Sequence, residues 1–325
     1  MDLAELDRIV DDARSPVARD ADERARRRVR GQVFTPARLA RLVAAEVLAP
    51  LAGDRPLVVL DPACGDGAFL AAAAEVAAGL GRAVELIGVE RDPALAAACR
   101  VRLPAATIHQ AEVLLAAPPL PLADAVVGNP PYVRSIRLKA SDPDLWSALR
   151  GRSAATAHGE WDLYGVFLER ALGWVRPGGR VGLVTPSRWL TAAWARRLRA
   201  TLAATGAVRT VVDFGAAQVF ADATTYASIV ILAQTRTTES ATLIRRDDAG
   251  WAARRFDPVQ AAGDPWLAAA IDDDGPARSP LRLGDVARIA KGTGTNADPV
   301  FVLIDPVIDG ELVRALGPDG EPVAI

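Results

Sequence analysis

A short apolar run that halts at an acid and a glycine turn constrains this chain more than any other stretch. Pro56-Leu57-Val58-Val59-Leu60-Asp61 reads as a buried strand, Pro62-Ala63-Cys64-Gly65-Asp66-Gly67 as a turn, and Ala68-Phe69 as the start of an Ala-rich helix. Strand, turn and helix in that order belong to a parallel sheet, because a helix must carry the chain back before the next strand can run the same way. Gly65 and Gly67 let the backbone pass close to a ligand that side chains would exclude. Tight packing of helix on strand is the other use for two such glycines.

The alternation continues down the chain. Val84 to Val89 reads as a second strand ending in Glu90, Ala106 to His109 as a third leading to Glu112, and Ala123 to Gly128 as a fourth. A helix from Trp161 ends at Pro177-Gly178-Gly179, and the strand Arg180 to Thr185 follows, stopped by Pro186. A further helix is expected around Trp189–Leu198, then a strand at Val208–Asp213. Ser228 to Leu232 comes after only a loop and is expected to pair antiparallel with its neighbour. The expected fold is α/β: a doubly wound, mostly parallel, seven-stranded sheet of Rossmann-like kind. With 325 residues, half of them apolar, a sizeable core is available.

Bulk properties narrow the function classes. A formal net charge of −2 argues against a chain coated in positive charge, although local basic clusters can still meet phosphate. The start is acidic and lacks a secretory pattern, and no run of about 18 uncharged apolar residues occurs, so no membrane association is expected. The two cysteines, Cys64 and Cys99, fit a reducing cytoplasm, which is the expected location. His109 and His158 are the only histidines, and no spacing of ligands suggests zinc, so no metal site is expected.

Four segments are expected: a charged helical lead at 1–30 ending in Arg24, Arg26, Arg27, Arg28 and Arg30; a catalytic domain at 31–245; a connection at 246–280 rich in Asp, Pro and Gly; and the start of a cut-off second domain at 281–325. The last segment shows short strand-like pieces around Val286–Ile289 and Val300–Leu303, with Lys291 to Asn296 as a turn between them. About 45 residues are too few for a separate stable core, and the chain halts on apolar Val323-Ala324-Ile325.

Asn129-Pro130-Pro131-Tyr132 follows the fourth strand directly. Two prolines forbid further pairing, because neither can donate a backbone hydrogen bond. They leave a rigid turn that presents an amide side chain, the Pro130 carbonyl and an aromatic ring at a strand's carboxyl end, where ligands bind in open parallel sheets. A proline-rich turn with Tyr132 as a core cover is the structural alternative. Glu90 lies about 25 residues after the glycines, the place for an acid that holds the hydroxyls of a ribose. A dinucleotide dehydrogenase would share that layout, but this turn lacks the third spaced glycine and begins Asp-Pro. It suits a cofactor without a pyrophosphate, S-adenosylmethionine.

Two further stretches bear on the site. Gly31-Gln32-Val33-Phe34-Thr35-Pro36 precedes a helical pattern through Leu39, Leu42, Val43, Val47 and Leu48, with Thr35 as cap and Pro36 as first helical residue. That helix start could also receive a carboxylate. Val133 to Gly159 has no clean periodicity, carries Arg134, Arg137, Lys139, Arg150 and Arg152, and reads as a long loop with a short helix near Leu145-Trp146. A loop of that length leaving a candidate site is often a binding loop.

Taken together, these motifs resemble the amino-methyltransferases that methylate adenine N6 in DNA, in the subclass whose catalytic domain precedes a target-recognition domain. Gly31 to Pro36 is similar to the family's N-terminal motif, Asp61 to Gly67 to its cofactor loop, and Asn129 to Tyr132 to its catalytic motif. The resemblance covers roughly 25–325 and implies a methylase of a restriction-modification or related phage-defence system. It implies that Thr35, Pro36, Asp61, Ala63, Cys64, Gly65, Gly67, Glu90, Arg91, Glu112, Asn129 and Phe167 bind S-adenosylmethionine. Asn129, Pro130, Pro131 and Tyr132 would be catalytic, with Tyr132 and Phe220 contacting a flipped target base. Many relatives have Asp where this chain has Glu112. Arg134, Arg137, Lys139 and Arg152 are the candidate DNA contacts, and double-stranded DNA and a restriction or defence-system subunit the implied partners.

The chemistry suits these residue types. An adenine amino group is a weak nucleophile, and the Asn129 oxygen with the Pro130 carbonyl can accept its two hydrogens and aim its lone pair for direct in-line methyl transfer. Two rivals share these features: a methyltransferase acting on a protein glutamine amide or on RNA, and a cofactor-gated DNA-binding subunit of a defence complex.

Overall fold

Each predicted strand is apolar on both faces, which commits it to a sheet covered on both sides. The computed structural model describes residues 1–14, 35–115, 119–220, 226–235, 240–247 and 249–269, together with the strands Ile304–Asp309, Leu312–Leu316 and Pro322–Ala324. The basic run Arg24 to Arg30, the motif residues Gly31 to Phe34 and the strand readings between Val286 and Leu303 lie outside the described residues. The chain divides into two compact units, Met1–Ile271 and Asp272–Ile325.

The first unit is built on strands β1 (Leu57–Asp61), β2 (Val84–Glu90), β3 (Thr107–Gln110), β4 (Ala123–Gly128), β5 (Val175–Pro186), β6 (Val208–Asp213), β7 (Ala227–Ala233), β8 (Ala241–Asp247) and β9 (Gly250–Phe256). They form one sheet in the order β3-β2-β1-β4-β5-β7-β6-β8-β9. β1 runs parallel to β2 and β4, and β4 parallel to β5, while β7 is inserted antiparallel between β5 and β6. The sheet is α/β and mostly parallel, as the alternation of elements requires, and β7 is antiparallel as its short connection requires.

Three features depart from the sequence expectation. The sheet has nine strands, not seven, because β8 and β9 add an antiparallel hairpin beside β6. β9 therefore occupies part of what reads as a connection from residue 246; its Ala253, Arg254 and Arg255 face solvent on the sheet's edge and hide the strand pattern. The segment Val133 to Gly159 has the short helix expected near Leu145-Trp146 but is more helical than a long loop. It folds into two seven-residue helices, Ser135–Ser141 and Pro143–Leu149, and a 3₁₀ turn at Ala154–Thr156. The helix expected around Trp189–Leu198 likewise lies later, at Arg196–Thr205, after two short 3₁₀ turns.

Alternate residues of each strand feed two cores. Val59, Ala125, Val127, Ile229 and Ile231 face one side, where the helices Leu3–Arg14, Ala37–Leu48 and Ala68–Gly79 pack; Leu60, Val126, Val230 and Leu232 face the other, with the helices Leu163–Arg170 and Arg196–Thr205. The first half of the charged lead is thus part of the core, through buried Leu6, Ile9 and Val10. Gly182 lets helix Ala37–Leu48 lie directly on β5, since a Cβ there would meet Val47 Cγ2 at 2.5 Å and Val43 Cγ1 at 2.7 Å.

In the second unit, the described strands β10 (Ile304–Asp309), β11 (Leu312–Leu316) and β12 (Pro322–Ala324) form an antiparallel sheet with β11 in the middle. Among the described residues no helix is long and apolar enough to cross a membrane.

Candidate functional site

The carboxyl ends of β1, β2 and β4 open onto one cavity of about 460 Å³. Thr35, Asp61, Ala63, Cys64, Gly65, Glu90, Arg91, Glu112, Asn129, Pro131 and Phe167 all line it, although they come from six separate stretches of sequence. Pro36, Gly67, Pro130, Tyr132 and Phe220 do not line it. That volume is in the usual range for a small-molecule site.

The glycine turn is shaped by its backbone. Gly65 and Gly67 hold φ of +54° and +88°, left-handed values that side chains disfavour. At Gly67 a Cβ would also meet Cys99 Sγ at 2.7 Å. The turn is stitched to β2: the Cys64 amide donates to the Val89 carbonyl at 2.9 Å, and the Gly65 amide to Glu90 Oε2 at 2.9 Å. Glu90 Oε1 accepts from the Asp92 amide at 2.7 Å, so the carboxylate is fixed and keeps further lone pairs for a ligand. Cys64 and Cys99 lie side by side with their sulfurs 3.9 Å apart. The hydrogen bond to Cys99 and burial push the Cys64 thiol up, which leaves it neutral near pH 7 and a poor nucleophile.

Three acids of the cavity share one electrostatic state. Burial raises Asp61 well above the ordinary carboxylate range, against the opposing hydrogen bond from the Ala63 amide, and burial likewise raises Glu90 and Glu112. Asp61 itself stands against Gly128, where a Cβ would approach its Oδ1 to 2.8 Å. Glu112 accepts from the Leu114 amide at 3.1 Å and pairs with Arg91 at 3.2 Å. Among the described residues no group of three or more His, Cys, Asp or Glu is placed to hold a metal ion.

Asn129 sits at the mouth of β4 with its amide oriented. Its Nδ2 donates to Thr35 Oγ1 at 3.1 Å, and its Oδ1 accepts from the Tyr132 hydroxyl at 2.6 Å. Thr35 reaches it from 94 residues away, just before helix Ala37–Leu48. The Tyr132 ring meets Tyr164 and Phe220 edge-on at 6.1 Å and 6.3 Å, and Phe220 is buried. Burial raises the Tyr132 hydroxyl above its ordinary value, so it is a neutral donor.

The helical insertion enters and leaves beside this motif. The Ser135 amide donates to the Trp161 carbonyl at 2.7 Å and the Leu163 amide to the Val133 carbonyl at 3.0 Å, which closes the insertion at its stem. Arg134, Arg137, Lys139 and Arg152 are exposed on it; Arg134 pairs with Glu160, and Lys139 and Arg150 both lie over the Trp146 ring, at 5.1 Å and 4.9 Å. The insertion also supplies a wall of the cavity through Leu138, Ser141 and Asp142, which the sequence reading missed. The signal was present: Asp142-Pro143 is a cap followed by a first-turn proline, and Asp142 Oδ1 accepts from the Leu145 amide at 3.0 Å.

Comparison with known proteins falls on the same elements. Residues 123–220, from the start of β4 through the Asn129 motif to Phe220, match the model of the Eco57I restriction-modification methylase family. Over that stretch the chain resembles an Eco57I-type restriction-modification methylase. It is 33% identical over 181 residues to the type II methyltransferase M.TthHB8I of Thermus thermophilus, which covers 54% of this chain and 39% of that protein. The chain also superposes on the methyltransferase subunit of a type I restriction-modification system from Streptococcus thermophilus, with a TM-score of 0.54 and 20% identity over 66% of this chain and 47% of that one. A putative class I S-adenosylmethionine-dependent methyltransferase from Listeria monocytogenes gives a TM-score of 0.51 and 17% identity, over 65% of each chain. The chain therefore spans less than two thirds of the length of each of these relatives, and at such identities the two structures bear on the fold alone.

Proposed function

We propose that this chain is the catalytic part of a DNA methyltransferase that transfers a methyl group from S-adenosylmethionine to the exocyclic N6 of an adenine flipped out of the duplex. The observation that carries the reading is the placement of an oriented Asn129 amide, held by Thr35, on the same cavity as Asp61, Glu90 and Glu112.

The cavity's donor set fits that cofactor. Buried carboxylates suit a ligand that brings positive charge with N–H and O–H donors, and they would repel a pyrophosphate. S-adenosylmethionine carries a sulfonium, an ammonium, two ribose hydroxyls and an adenine amino group. Glu90 would hold the ribose hydroxyls, Glu112, paired with Arg91, would accept from the adenine amino group, and Phe167 would pack on the adenine. Thr35 and the turn Asp61 to Gly67 would hold the methionine part. When bound, the cofactor supplies an electrophilic methyl group.

The remaining chemistry is positioning. Asn129 Oδ1 and the Pro130 carbonyl accept the two hydrogens of the target amine, which turns its lone pair away from the ring and toward the cavity. Because Nδ2 is engaged by Thr35, the amide keeps its oxygen on the acceptor side. Orientation of this kind contributes up to ~7–11 kcal/mol to a rate. Turning the base out costs on the order of a few kcal/mol, and stacking on one ring returns about 1–3 kcal/mol; Tyr132 would offer that ring, with buried Phe220 packed edge-on against it. The exposed Arg134, Arg137, Lys139 and Arg152 would face the phosphate backbone. Duplex DNA, a cytoplasmic setting and a restriction or defence-system partner follow from the same reading.

Asn129→Ala tests it. S-adenosylmethionine affinity by calorimetry should stay within a few-fold of the unchanged chain, while transfer of labelled methyl to adenine-containing duplex is abolished. Transfer that survives the substitution would defeat the proposed role of Asn129. Label entering RNA or protein instead of duplex would favour the rival acceptors.

A further inference from the structure

Arg91 is tied at once to the floor of the cavity and to the insertion that walls it. Its Nη2 donates to Asp142 Oδ2 at 2.7 Å, and its Nη1 lies 3.2 Å from Glu112 Oε2. Asp142 is the joint between the two insertion helices. Its amide donates to the Leu138 carbonyl at 2.8 Å, closing Ser135–Ser141, while Oδ1 caps Pro143–Leu149. One carboxylate thus serves a helix start with one oxygen and Arg91 with the other. On the insertion's inner side Leu138, Leu145 and Leu149 are buried; on its outer side stand Arg137, Lys139 and Arg150.

We propose that Arg91 is a positioning residue that fastens the helical insertion to the cavity through Asp142 and Glu112, so that a filled cavity sets the insertion's basic face for the acceptor substrate. The proposal rests on the reading of the cavity as an S-adenosylmethionine site. A half-exposed ion pair adds little to stability, so the contact matters for where the insertion sits and not for whether the chain folds. A guanidinium can span two carboxylates with separate nitrogens, which an ammonium does poorly. A ligand group donating to Glu112 changes what Arg91 meets on that side and leaves Asp142 as its remaining hold. By linkage, a cavity ligand that orders the insertion must be bound more tightly when the acceptor is bound to that ordered form.

Amide exchange reads this directly. S-adenosylhomocysteine is added to the unchanged chain, Asp142→Asn and Arg91→Lys, each at a concentration that calorimetry shows to be saturating, and exchange is followed across 135–149. The Asn variant keeps a capping oxygen and separates the loss of Arg91's partner from the loss of the helix cap. In the unchanged chain the insertion's amides are expected to slow at least several-fold on saturation; in both variants the slowing is expected to fall to less than half of that. Slowing that persists undiminished in both variants, or binding to the unchanged chain without slowing, would overturn the proposal and leave the cofactor reading intact. Absence of S-adenosylhomocysteine binding to the unchanged chain would overturn the cofactor reading itself. Variants that lose binding altogether would make Arg91 a direct ligand contact and also overturn a positioning role.

Discussion

Strands β1, β2 and β4 run out into Asp61, Glu90 and Asn129 around an open cavity, whereas β5, in the same sheet, ends among hydroxyls, tryptophans and a buried arginine. Thr185 and Ser228 share a hydrogen bond at 3.0 Å, and the Trp189 indole donates to both. Arg199, 1% exposed, donates to the carbonyls of Trp189, Ala192, Gly263 and Asp264, which pins the segment after β9 under that half of the sheet. Trp266 then closes the layer, 5.3 Å from Trp189. The same structural position is satisfied internally on one side and left waiting on the other. Burial raises the three acids of the open side because no cation of the protein fully neutralises them there, which is the electrostatic state a cationic ligand relieves.

Substitutions should separate the halves. Arg199→Met strips four carbonyls of their donor, and at about 1–3 kcal/mol for each buried group left unsatisfied a loss of roughly 3 kcal/mol or more is expected in denaturant unfolding. Gly182→Ala drives a methyl into Val43 and Val47 and should cost about 1–3 kcal/mol. Neither should change cofactor affinity per folded molecule in calorimetry; a tenfold change would show that the halves are coupled.

Asp61→Asn should do the reverse. The folded-state pKa of Asp61, Glu90 and Glu112 lies above the unfolded value, so the ligand-free chain is fully stabilised below the ordinary carboxylate range and loses that stability as pH rises through the raised values. Asp124 has the opposite sign: burial would raise it, but Arg55 and the Val58 amide outweigh burial and hold it low, so its contribution is lost only in stronger acid. Melting temperature should therefore rise as pH falls through the raised values and drop again in stronger acid. Asp61→Asn should flatten the upper limb and, at pH above the raised Asp61 value, raise the melting temperature while weakening S-adenosylmethionine binding. An unchanged upper limb would assign the slope to other groups.

The open half was the more legible in the sequence, and local chemistry explains why. Gly65, Gly67, Asp61, Glu90 and the Asn129 motif follow rules of turns and strand ends that operate within a few residues. The closed half and the insertion depend on contacts between distant residues. Arg199 reads as one charge among many on an amphipathic helix, and nothing near it announces carbonyls 64 residues away. The insertion's buried leucines, Leu138, Leu145 and Leu149, fall on two helices too short to show a period. β9 is an edge strand whose arginines mask its alternation.

The central claim is that the oriented Asn129 at the mouth of β4 serves an adenine amine in DNA. The most direct measurement supplies the chain with methyl-labelled S-adenosylmethionine and unmethylated genomic duplex, digests the DNA to nucleosides and separates them. Label in N6-methyldeoxyadenosine is the predicted result; label confined to a cytosine product, or cofactor binding with no label in DNA, would contradict the account.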